Sequence, residues 1–140
     1  MGRIMAIDYG TKRVGIAVTD PDKIIATGLT TVHSKDAMEF IKQYLLKENV
    51  ECIVVGEPKR MNNEASESAK FIEPFVKLLR KTFSEMLIER IDERFTSKMA
   101  FQTMIDAGLK KKDRQNKETI DMVSATIMLQ TYMETKNSKF

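Results

Sequence analysis

The sequence predicts an α/β fold: a five-stranded mixed sheet in the order β-β-β-α-β-α-β-α-α, with helices on both faces. Three observations predict it. Two short apolar runs, Ile4–Ile7 and Val14–Thr19, flank the turn Tyr9–Lys12 and read as a hairpin. A third β-branched run follows with no helical pattern between. From Ser34 onward, helical stripes alternate with short apolar runs, so the later strands are joined by helical crossovers and lie parallel to the first.

Each element has a local reason. Thr19-Asp20-Pro21-Asp22 is a strong turn signal, and Ile24–Val32 reads as the third strand, bent or bulged at Gly28. Ser34 is the expected N-cap of a first helix, with Ala37, Phe40, Ile41, Tyr44 and Leu45 as its apolar stripe. Cys52–Val55 reads as a buried central strand closed by Gly56-Glu57-Pro58. A second helix is expected from Asn63 or Glu64, with Ala65, Ala69, Ile72, Val76 and Leu79 on one face. Pro74 inside that pattern predicts a kink or break. Met86–Asp92 reads as the fifth strand. A third helix is expected from Thr96 to Gly108, and a last one from Lys117 to Thr135.

Bulk properties bound the function. A chain of 140 residues is expected to form one domain, residues 1–140, with a real core. Its apolar runs are too short to span a membrane, and Met1 leads directly into a strand, so no signal peptide is expected. The single cysteine, Cys52, has no internal disulfide partner and suits a reducing cytoplasm. The ten methionines fall mostly at helical core spacing and read as packing material. The net charge is +3, but residues 110–117 alone carry five cations and one acid. Such a segment is either a solvated loop or a grip for a polyanion.

The acids are placed more informatively. Asp8 ends the first strand and leads into Tyr9-Gly10-Thr11. It is either a turn residue bonded to the backbone or a ligand at a strand end. Glu57 follows the fourth strand, and Asp92 and Glu93 close the fifth. Parallel strands one, four and five would bring these acids to one edge, where sites form in open α/β sheets. Helix phase puts Asp121 with Ala125, Met128 and Tyr132, on or beside the inward side of the last helix. Clustered carboxylates repel unless cations neutralise them. With one His, one Cys and no CxxC, oxygen ligands select Mg²⁺ or Mn²⁺. Two such ions, about 4 Å apart, support phosphodiester cleavage. Asp8, Asp92, Glu93 and Asp121 are therefore the candidate catalytic acids, with Asp8, Asp92 and Asp121 as metal ligands. Asp92 is placed slightly ahead of Glu93, because strand alternation decides which faces the cleft. Lys12, Arg13, Arg94, Lys110, Lys111, Lys112, Arg114 and Lys117 are the candidate nucleic-acid contacts. His33 could be a general base, but its place before a helix favours a surface or capping role.

Four segments together resemble a known family. They are Asp8-Tyr9-Gly10-Thr11-Lys12-Arg13-Val14-Gly15, Ile53-Val54-Val55-Gly56-x-Pro58, Asp92-Glu93-Arg94-x-Thr96, and Lys111-Lys112 before Asp121. The ordered set is similar to the YqgF family, bacterial relatives of Holliday junction resolvases associated with the 5′ end of pre-16S ribosomal RNA. The resemblance covers nearly the whole chain. It implies a ribonuclease H-like fold, divalent metal use, a cytoplasmic location and nucleic acid as partner, with the ribosome or its precursor as a further one. It also implies catalytic roles for Asp8, for the Asp92-Glu93 motif and for Asp121. One departure stands out: Glu57 occupies a position that is usually apolar. It could restore a metal ligand found in related resolvases, although solvent is the favoured reading. Phe95 also stands where leucine is usual, which is a packing change.

The expected function is metal-dependent cleavage of structured nucleic acid, foremost 5′-end processing of pre-16S rRNA. The alternatives are Holliday junction resolution and a non-catalytic nucleic-acid binder acting in ribosome assembly or transcription. A junction resolvase suits a homodimer and an end-trimming enzyme a monomer. Asp8-x-Gly10-Thr11 also resembles the phosphate loop of actin-like sugar kinases. Those enzymes close two such domains around ATP, and this chain predicts one.

Overall fold

The computed structural model describes residues 2–57, 69–92 and 117–137. The sheet comprises β1 (Arg3–Tyr9), β2 (Arg13–Thr19), β3 (Ala26–His33), β4 (Val50–Glu57) and β5 (Leu87–Asp92), in spatial order β3-β2-β1-β4-β5. β1, β2 and β3 form an antiparallel meander, whereas β4 is parallel to β1 and β5 parallel to β4. The predicted five-stranded mixed sheet is the one observed. The helices are α1 (Ala37–Lys47), α2 (Ala69–Thr82) and α3 (Lys117–Asn137). The helix expected over 96–108 and the basic stretch from Lys110 lie outside the described residues.

Alternation along the strands builds two cores. Met5, Ile7, Val14, Ile16, Ile53 and Val55 face α1 and α2, burying Ile41, Ile72, Phe75, Val76 and Leu79. Ile4, Ala6, Ala17, Cys52 and Val54 face α3, burying Ala125, Met128, Leu129 and Tyr132. The two sides differ in bulk. On the α3 side the meander presents Ala6, Gly15, Ala17 and Gly28, and the helix sits correspondingly close. A Cβ built on Gly28 would stand 2.7 Å from Cγ of Met122.

Some local expectations shift. β3 begins at Ala26 rather than Ile24, because Oδ1 of Asp20 accepts from the N–H groups of Ile24 and Ile25 at 2.8 and 2.7 Å and holds them in the turn. The β2–β3 register passes from Ile16↔Thr30 to Ala17↔Gly28, so Leu29 is the extra residue of a bulge beside Gly28. Ser34 does not cap α1. Its hydroxyl donates to the carbonyl of Thr11 at 2.7 Å and its N–H to that of Lys12 at 3.0 Å. A 3₁₀ turn, Ser34–Asp36, precedes α1 instead, and Nδ1 of His33 accepts from the Lys35 N–H at 3.1 Å. His33 has the expected capping role. Pro74 neither breaks nor ends α2, which runs through it. Its ring lies on the exposed side, and only one N–H donor is lost.

The Asp20 turn carries a pH signature. The Ile25 N–H, foremost, holds the Asp20 carboxyl below its ordinary value. A folded-state pKa that is depressed stabilises the fold above the unfolded value, near about 4, and that contribution is lost as pH falls through the folded value. Asp20→Ala is expected to lower the melting temperature at pH 7 and to approach the wild type at pH 3. Thermal unfolding at both pH values checks this, and a gap that stays constant would refute it.

Candidate functional site

The C-terminal ends of β1, β4 and β5 share one edge of the sheet. β1 sends its last two side chains to opposite faces. Tyr9 follows Met5 and Ile7 to the α2 side, where its ring stacks on Phe75 at 4.3 Å and 26°. Asp8 follows Ile4 and Ala6 to the α3 side.

Asp8 pairs across the hairpin with Gly15. A Cβ built on Gly15 would fall 2.1 Å from the carbonyl oxygen of Asp121 and 2.5 Å from its carbonyl carbon. The backbone of α3 therefore rests directly on the residue beside Asp8. Glycine at position 15 makes this possible, because any side chain would hold the helix off. The Asp121 side chain is fixed from the other direction: Nε of Arg13 donates to its Oδ2 at 2.9 Å. Both partners are partly solvated, so this ion pair contributes at most about 1 kcal/mol to stability. Its larger effect is to orient the carboxylate.

The turn between β1 and β2 is equally constrained. A Cβ on Gly10 would meet the Arg13 carbonyl oxygen at 2.6 Å, so the chain can double back this tightly only with glycine there. The two bonds from Ser34 pin the Thr11 and Lys12 carbonyls. Beside the turn opens a cleft of about 350 Å³, lined by Gly10, Thr11, Lys12, Arg13, Phe71 and Asp121 among others.

Glu57 and Asp92 stand at the same edge and are paired in the β4–β5 register. Asp92 has the parity of Ile88, which faces α1 and α2, and Glu57 has that of Ile53 and Val55. The structure thus sets the Asp121 backbone against Gly15, the cross-strand partner of Asp8, and gives Asp92 and Glu57 the parity of the other side of the sheet. Glu93, Arg94, Lys110, Lys111, Lys112 and Arg114 lie outside the described residues, as does the side chain of Lys117, the first residue of α3. Of the expected nucleic-acid contacts, Lys12 and Arg13 are at the site.

Three residues at this edge escape the sequence reading. Ser34 is one. Phe71 is another, because it lies off the apolar stripe assigned to its helix. The third is Arg90. It donates to the carbonyls of Val55 at 3.3 Å and Gly56 at 3.2 Å, and to Glu73 of α2 at 2.7 Å. It clamps the end of β4 against β5 and α2. A cation inside the run Met86–Asp92, read as the fifth strand, is its available signal.

Comparison with known proteins fits this geometry. The chain matches the family described as "RuvX: Holliday junction resolvase" over residues 2–135. The chain belongs to this family. It is 60% identical to a "Putative pre-16S rRNA nuclease" of Flavobacterium psychrophilum, the alignment covering 97% of this chain and 99% of the relative. A protein of the same name from Bacteroides thetaiotaomicron is also 60% identical, with the same coverage. As a RuvX family member the chain is a nuclease, an enzyme that hydrolyses phosphodiester bonds. Solved structures show the ribonuclease H-like fold shared with resolvases. Thermus thermophilus RuvC bound to a Holliday junction aligns with a TM-score of 0.56 at 13% identity, covering 97% of this chain and 96% of RuvC. The Fowlpox virus resolvase in complex with Holliday junction DNA aligns with a TM-score of 0.57 at 11% identity, covering 96% of this chain and 98% of that one. Among the described residues of this RuvX protein, no helix is long and apolar enough to cross a membrane.

Proposed function

We propose that the reactive centre is built on Asp8 and Asp121 with Mg²⁺ or Mn²⁺, and that the substrate is precursor 16S ribosomal RNA, cut at its 5′ end. The observation that carries the reading is the stacking of the Asp121 backbone on Gly15, the cross-strand partner of Asp8. It brings two acids distant in sequence to one side of the parallel strand ends, and the names of the relatives supply the substrate.

The donor chemistry fits a hard cation. Among the described residues no three His, Cys, Asp or Glu side chains converge on one point. Mg²⁺ commonly takes one or two carboxylates and completes its shell with water and substrate phosphate oxygens. Asp8 and Asp121 supply such a pair, and a carboxylate of the Asp92-Glu93 motif would add a third. When bound, the metal would lower the pKa of the attacking water and stabilise charge on the phosphate. The chain does the rest. Gly15 sets the spacing, Arg13 orients Asp121, and Lys12 adds positive charge where the phosphate backbone enters. Cys52 is buried and not in a disulfide, which suits the cytoplasm.

A second reading, cleavage of four-way junction DNA, is favoured by the description of the family itself. One assay separates the two. Purified protein with Mn²⁺ or Mg²⁺ is offered 5′-extended 16S precursor and junction DNA in parallel, with EDTA controls. Metal-dependent cleavage of the precursor is expected, at a rate at least about tenfold above that on the junction. Faster junction cleavage would establish the second reading. Binding to both without cleavage of either, and no Mn²⁺ uptake, would leave a non-catalytic binder.

A further inference from the structure

Phe71 lies in the first turn of α2 with 54% of its surface exposed. A single exposed apolar side chain is ordinary. Its surroundings are not. It lines the same cleft as Thr11, Lys12, Arg13 and Asp121. One helical turn further along α2, Phe75 is buried and stacked on Tyr9, so the helix that carries Phe71 is anchored to the strand that carries Asp8. The turn opposite is held by Ser34. Arg13 is tied to Asp121 through Nε, and among the described residues its terminal Nη groups make no hydrogen bond.

An immobilised turn bearing cations, with an apolar ring across a cleft, offers both halves of what a nucleotide needs. A base has a π-face that stacks on an aromatic side chain whatever its sequence, and its phosphate is matched by guanidinium and ammonium donors. The cleft volume of about 350 Å³ lies within the range that takes small ligands. A base inside a continuous duplex already has both faces covered and cannot reach such a ring without leaving the stack.

We infer that this cleft is a subsite for one unpaired nucleotide flanking the scissile phosphate. Phe71 stacks on its base, while Lys12 and the Nη groups of Arg13 hold its phosphate. The inference rests on the reading of Asp8 and Asp121 as the reactive centre. It narrows the substrate class to nucleic acid that is single-stranded at the cut, such as an unpaired end or a branch point, and away from continuous duplex.

The test uses the full chain in EDTA. Its probes are a single-stranded octanucleotide containing 2-aminopurine, in RNA and in DNA form, and a blunt duplex of the same sequence. Phe71→Ala is expected to weaken single-strand binding by on the order of tenfold, to abolish 2-aminopurine quenching, and to leave duplex binding unchanged. Phe71→Tyr is expected to restore both affinity and quenching. A loss on either polymer sustains the subsite and identifies its sugar. Phe71→Ala that binds and quenches like the wild type overturns it, as does an equal loss on duplex. Mn²⁺-dependent cleavage by the wild type is measured alongside. No cleavage together with the Phe71 effect would overturn the reading of the acids and leave the subsite standing. Cleavage without any Phe71 effect would do the reverse.

Discussion

Gly15→Ala is expected to cost about 1–3 kcal/mol of stability and to lower cleavage on the order of a hundredfold. The added methyl carbon would stand 2.1 Å from a helix carbonyl oxygen, far inside contact distance, and the atoms it meets belong to backbone. A backbone cannot swing aside as a side-chain tip can. The first turns of α3 must move outward, and Asp121 must move with them, away from Asp8. A displacement of about 1 Å suffices for a loss of that size in a reaction that depends on alignment. Gly28→Ala is the control at the same interface. Its Cβ would meet the Met122 side chain at 2.7 Å and the Thr126 hydroxyl at 3.1 Å. Met122 Cγ can move away only by a change of χ1, which is still open to a side chain and not to a backbone carbonyl. The glycine-to-alanine change also restricts the unfolded chain, which offsets about 0.4–1 kcal/mol. Gly28→Ala should therefore cost less than Gly15→Ala and leave cleavage near the wild-type rate. Thermal melts and cleavage rates of the two variants check the contrast, and equal behaviour would show that the approach of α3 to Gly15 does not set the site.

How far such features can be read before folding depends on their range. The strand order and the inward phase of Asp121 are legible because they follow from periodicity: Ala125, Met128 and Tyr132 repeat on one helical face, and all three are buried. Asp8 is legible as the end of a strand, and Glu57 and Asp92 reach the same edge because β1, β4 and β5 are parallel. Gly15 is different. In sequence it is one more residue of a short strand, and only the docked helix shows that its missing side chain is required. Arg90 and Ser34 act across 34 to 35 residues and 22 to 23 residues respectively, through carbonyls that no side-chain pattern announces. β3 starts two residues later than its strand propensity predicts, for a similar reason. Ile24 and Ile25 have strand propensity, but a single Asp20 oxygen claims both of their N–H groups. The order of Asp92 and Glu93 turns on a parity that one residue of register reverses.

Asp8→Asn is expected to reduce metal-dependent cleavage by at least about a hundredfold, the scale of losing one preorganised group that stabilises transition-state charge. The substitution keeps the shape and acceptor oxygen of the side chain and removes its charge. Melting with and without metal then separates a ligand role from a folding role. Without metal, the variant should melt close to the wild-type temperature, because the side chain keeps its shape and an acceptor oxygen. With Mn²⁺, the wild type should gain stability in proportion to site occupancy, and the variant should gain little. A general folding defect would lower both melting temperatures instead. The same measurements rank the β5 acids. Asp92 follows Ile88 to the side of the sheet away from Asp8. Asp92→Asn is therefore expected to retain most of the Mn²⁺-induced stabilisation and most of the activity. Glu93→Gln is expected to behave like Asp8→Asn. The opposite order would show that Asp92 supplies the metal side of the pair despite the parity of its strand. Equal, small effects would confine the protein's share of the metal shell to Asp8 and Asp121, leaving water and phosphate oxygens to complete it.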